Sequence, residues 1–155
     1  MEVDPDEVVA WFELVQWHQG IWVPDIVAVL TEGPMRFKDL RRAINTNACH
    51  IDRWWFPRPS RLSSSQLSHT LAAMQRDELI LRHEDRSRVP IAVSYELSPL
   101  MREFLARFTG PAMEWLQIHR EPMDRVRQQR RHRRDGHPPP GQSSQPPPEH
   151  PPGHV

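Results

Sequence analysis

Apolar residues recur along the first 120 positions at spacings that change from helical to strand-like and back. Val8, Trp11, Phe12 and Val15 fall on one face of a helix that Asp4 caps, and Pro5, Asp6 and Glu7 in its first turn suit both the ring constraint and the helix dipole. That helix runs to about His18 and ends at Gly20. A second helix follows to Leu30 with Trp22, Ile26, Val27 and Leu30 inward, stopped by Gly33-Pro34; Trp17 and Trp22 read as core anchors. Met35 to Phe37 is a short extended entry to a third helix, Lys38 to Ile44, whose buried stripe is Phe37, Leu40 and Ile44. From Arg61 to Gln75, Leu67, Leu71 and Met74 repeat at helical spacing behind the N-cap Ser63. The period then switches to two. Leu79 to Glu84 and Ile91 to Leu97 read as paired strands around the turn Asp85-Arg86-Ser87-Arg88. Ser98 and Pro99 open another helix to Phe108, Gly110-Pro111 is expected to break it, and a last helix from Pro111 carries Met113, Trp115, Leu116 and Ile118.

This order predicts a mainly α fold with a small β-hairpin wing, an α+β winged helix-turn-helix, in which the helix beginning at Ser63 faces DNA. On the side away from its buried stripe lie short hydrogen-bonding side chains. Ser64, Ser65, Gln66, Ser68 and His69 are the expected base contacts, with Gln66 best suited to adenine. Ser63 and the cations Arg36, Lys38, Arg41 and Arg42 on the preceding helix are the expected phosphate contacts, and Arg86 and Arg88 act at the wing. Each has a plainer reading as an ordinary solvated surface.

Composition narrows the picture. The formal net charge is zero, yet its distribution is uneven: the first 35 residues carry acids and no Lys or Arg, whereas Arg36 to Arg42 and Arg125 to Arg134 are basic. The chain divides into a domain over residues 1–120, a basic helical extension over 121–135 and a tail over 136–155 whose proline-rich, apolar-poor composition predicts disorder. Cys49 is the sole cysteine, which excludes an intrachain disulfide. No signal sequence and no long apolar run is present, so a cytoplasmic location is expected. There is no G-x-S-x-G, no glycine-rich phosphate loop and no catalytic-metal spacing, and an enzyme, a cofactor or a metal is not expected.

Two stretches also resemble a known family. GIWVPDIVAVLTEGPMRFKDLRRAI, with Gly33, Pro34, Arg36, Phe37 and Leu40 in the pattern GP-x-RF-x-x-L, is similar to HxlR-type regulators, relatives of MarR regulators. So is VPIAVSYELSPLMREFL, in the pattern Pro-x-x-Val-x-Tyr-x-Leu-Ser. The resemblance covers about Gly20 to Trp115. It implies a homodimeric bacterial transcription factor that dimerises through its terminal helices and places the helix at Ser63 to Gln75 in the major groove of double-stranded DNA, and a two-fold dimer predicts a palindromic operator. The alternative is a protein-interaction module on the same scaffold. The sequence departs from the family pattern at Ile21, Glu78 and Met101, where a lysine and two glycines are usual. It also places a long insertion, Asn45 to Ser60, where the family makes a short turn. Trp54, Trp55 and Phe56 in that insertion form an effector pocket for a small aromatic molecule on one reading and extend the core or the dimer surface on another; metal or thiol sensing through Cys49 and His50 is the third.

Overall fold

The computed structural model describes residues 4–46 and 59–134. Asp4 accepts a hydrogen bond from the Asp6 N–H at 3.0 Å and starts α1, Pro5–Trp17. None of the residues of α1 is buried; Val8, Val9, Trp11 and Phe12 are exposed. The chain then turns through Gly20 at φ +156°, where a Cβ would meet Val23 Cγ2 at 2.8 Å, so the turn accepts only glycine without rearrangement. Next come α2 (Val23–Leu30), the two-residue strand β1 (Met35–Arg36) and α3 (Phe37–Thr46). α3 therefore includes Asn45 and Thr46, the first two residues of the expected insertion, most of which lies outside the described residues.

Ser63 caps α4 (Ser64–Arg76) in the manner its sequence suggests. Its hydroxyl accepts from the Gln66 N–H at 3.2 Å, while Gln66 Oε1 accepts from the Ser63 N–H at 3.0 Å, which completes a reciprocal capping box. The hairpin is β2 (Ile80–Asp85) with β3 (Ala92–Leu97), paired antiparallel from Ile80 opposite Leu97 to Asp85 opposite Ala92. β1 adds to the free side of β3 through Met35 opposite Tyr95, giving a three-stranded sheet in the order β1-β3-β2.

The expected helix break at Gly110-Pro111 does not occur. α5 runs unbroken from Pro99 to Ile118 with Pro111 inside it, and the chain interrupts at His119 before α6 (Arg120–Arg134). Proline removes one N–H and leaves the Arg107 carbonyl without its helical partner, but this stretch of α5 is exposed, where solvent can satisfy a carbonyl, and the helix continues.

The core lies beneath α4. Ile26, Leu30, Leu40, Ile44, Leu62, Leu67, Met74, Leu79, Ile80 and Leu97 are its fully buried members, with Trp22 and Met101 closing its rim. α1 and α6 contribute none of these residues. α1 is instead tied on from outside: Trp17 Nε1 donates to the Asp77 carbonyl at 2.8 Å and its ring meets Phe104 edge-on at 5.8 Å. Beside it, burial against Phe104 lowers the His18 pKa from its ordinary 6.5, opposed by the Leu14 carbonyl. Among the described residues, no helix is long and apolar enough to cross a membrane.

Candidate nucleic-acid interface

α3 and α4 form the surface on which most of the expected site residues meet. Leu40 and Ile44 of α3 and Leu67, Leu71 and Met74 of α4 anchor the pair in the common core. Asn45, at the end of α3, braces it further: its Nδ2 donates to the Leu62 carbonyl at 3.1 Å and its Oδ1 accepts from the Leu62 N–H at 2.8 Å. A side chain thus makes the paired bonds that a neighbouring strand would make, immediately before the cap of α4. No local spacing anticipates this bond, because the partners are 17 residues apart.

Ser64, Ser65, Gln66, Ser68 and His69 are all exposed on α4, as their helical phase requires. Gln66 is not free, however. Its carbonyl oxygen is held by Ser63, and a bidentate contact to adenine needs both ends of the amide, so reading a base requires that bond to be released. Ser63 and Ser65 share a hydroxyl–hydroxyl bond at 3.1 Å.

The cations divide into two groups. An Nη of Arg41 donates to Ser64 Oγ, which brings a guanidinium to the first turn of α4, where unpaired backbone N–H groups and the positive end of the helix dipole already favour an anion. Arg42 instead pairs with Asp39 at 2.7 Å, one turn back on α3. Arg36 lies exposed on β1 and Lys38 exposed on the first turn of α3. At the hairpin, Arg86 Nη2 is 3.1 Å from Glu84 Oε2 and Arg88 Nε is 3.3 Å from Asp85 Oδ2, so both wing arginines have acidic partners within the hairpin. The Arg82 and Arg86 hydrogen bonds hold the Glu84 carboxyl below its ordinary range, and the Ser87 hydroxyl and N–H do the same for Asp85. Trp54, Trp55 and Phe56 lie outside the described residues, as do Cys49 and His50. Among the described residues no group of three or more His, Cys, Asp or Glu side chains is placed to hold a metal ion.

No family model matches the sequence, and no curated protein matches it. Solved structures share its backbone nonetheless. A structure assigned to the MarR family of transcriptional regulators, from Enterococcus faecalis V583, has a TM-score of 0.56 at 19% identity over 81% of this chain and 96% of its own. The reduced form of the transcriptional regulator YodB from B. subtilis gives 0.53 at 23% identity over 78% and 98%. The chain has the winged helix-turn-helix fold. The redox regulator HypR in its reduced form follows at 0.50 and 20% identity, over 78% and 98%. At these identities the likeness is one of fold. Within the winged helix, α3 and α4 are the helix-turn-helix and the β2–β3 hairpin is the wing.

Proposed function

We propose that this winged helix is a DNA-binding transcriptional regulator that inserts α4 in the major groove and lays its wing along the neighbouring backbone. The observation that carries this reading is the exposed row Ser64, Ser65, Gln66, Ser68 and His69 on a helix whose N-terminus already holds the Arg41 guanidinium. Base edges demand short donors and acceptors, and phosphates demand fixed cations beside free N–H groups; α4 offers both within its first two turns. Arg36, Lys38 and Arg42 extend the phosphate-contacting surface along β1 and α3. Two copies related by a two-fold axis and joined through α1, α5 and α6 would read a palindrome with half-sites about one helical turn apart. The insertion around Trp54, Trp55 and Phe56 is the proposed place for control by a small aromatic effector, acting on the position of α4.

Fluorescence anisotropy of the full chain against its own upstream DNA and a scrambled duplex, across a salt series, tests the proposal. A sequence-specific regulator prefers the native duplex and loses affinity with salt at a log-log slope near −0.9 per phosphate contact. Gln66→Ala is expected to relax sequence preference by about 1–3 kcal/mol at one base position, whereas Arg88→Ala weakens all duplexes alike. The same profile from both variants would refute the division of labour. Absence of binding to any sequence in a genome-wide DNA selection would favour a protein-interaction module instead.

A further inference from the structure

The wing carries its own counterions. Three arginines lie on it, Arg82, Arg86 and Arg88, against two carboxylates, Glu84 and Asp85, and each arginine is paired with one of the two. Asp85 is fixed beside the tip because its Oδ1 accepts from both the N–H and the hydroxyl of Ser87, at 3.1 and 2.5 Å. The pairs are open to solvent: the side chains of Arg86 and Arg88 are 80% and 64% exposed. Exposed pairs of this kind are weak and exchange partners readily. A phosphate that approaches either arginine therefore meets a guanidinium already in use and a carboxylate of its own sign a few ångströms behind it.

We propose that Glu84 and Asp85 compete with DNA phosphate for Arg86 and Arg88, and so limit, without abolishing, the affinity that the wing adds on unselected DNA. This deepens the reading of the hairpin as a DNA-binding wing and rests on it. Over residues 82–88, the outer part of the hairpin, the two acids cut the net charge from three positive to one. The pull of Arg86 and Arg88 on a nearby phosphate falls with the carboxylates paired to them, while base reading by α4 does not depend on those pairs. Discrimination is thereby shifted onto the recognition helix. The arrangement recurs on α3, where Asp39 holds Arg42. A third acid supplies the control. Glu96 of β3 bonds His83 at 2.6 Å and Arg102 of α5 at 2.5 Å, so it joins the base of the wing to α5 and touches neither Arg86 nor Arg88.

The test compares the wild type with Glu84→Gln, Asp85→Asn, the double variant and Glu96→Gln, using anisotropy on a scrambled duplex between 50 and 200 mM salt. Circular dichroism and melting confirm that all are folded. The double variant is expected to bind the scrambled duplex roughly two- to thirtyfold more tightly at the low-salt end, with a salt slope more negative by up to about 1.8, while Glu96→Gln stays within about twofold of wild type. Unchanged affinity and slope in the double variant overturn the proposal, as does weaker binding, which would make the acids positioning groups. An equal gain from Glu96→Gln also overturns it, since the effect would then be one of total charge. If the wild type and every variant fail to bind any duplex, the DNA-binding reading itself falls and the proposal with it.

Discussion

Glu78 adopts φ +58° at the point where α4 hands over to β2. The Leu79 N–H reaches back to the Met74 carbonyl at 2.8 Å and the Glu78 N–H to Gln75 at 3.3 Å, the two bonds that close a helix through a left-handed residue. Glycine takes that conformation freely; any other residue takes it at a cost of roughly 1–2 kcal/mol. The fold keeps the turn because the buried pair Leu79 and Ile80 must follow it directly. Glu78→Gly is therefore expected to stabilise the protein by about 0.5–1 kcal/mol, after allowing for the greater freedom of glycine in the unfolded chain, and to raise Tm by a few degrees in thermal unfolding. A neutral or destabilising result would mean that the glutamate side chain compensates. The residue-scale features that could be read in advance were the local ones: Asp4, Ser63 and Ser98 all cap the helices expected of them, because a cap hydrogen-bonds within three residues of itself. Arg41 on Ser64 and Asn45 on Leu62 could not be read so, since spacing says nothing about partners 23 and 17 positions away.

At the scale of elements, α5 shows how local signals mislead. Gly110-Pro111 has the composition of a stop, yet the helix passes through it and gives way at His119, which carries no such signal. Proline costs a helix one hydrogen bond and some steric room, and on an exposed face water and a slight bend absorb both. Pro111→Ala should restore the bond to the Arg107 carbonyl, strengthen α5 by roughly 1–3 kcal/mol and slow amide exchange in the turn around it. Unaltered exchange there would mean that the helix is already as stable as its neighbours. α2, α3 and α4 were legible as elements because each buries a stripe with a clear period, and β1 was legible only as an extended entry, since two residues are too few to show any period.

The molecule as a whole leaves one side uncovered. Trp11 of α1 and Met113 and Trp115 of α5 are exposed, at 47, 50 and 52%, and with His18 and Phe108 they line a trough of about 880 Å³. A contiguous apolar face of this kind is rare on a monomer. A second copy is the occupant the proposed regulator requires, and Met113→Glu should convert the proposed dimer to a monomer in sedimentation velocity and weaken operator binding, with the melting of the α2–α4 core retained. A monomeric wild type would refute the dimer. The sequence showed that α1 needed a partner but not where, because an amphipathic stripe records that a face is buried and not by what.

The Asn45 brace bears on how much chain the helix-turn-helix can carry. By clamping the backbone at Leu62 to the end of α3, it fixes both ends of the intervening connection independently of what that connection contains. Closing a longer loop between fixed ends adds only about 0.6 kcal/mol for each doubling in length. The seam between α3 and α4 is thus a port in the scaffold, where residues can be gained, lost or replaced while the spacing of the two helices stays the same.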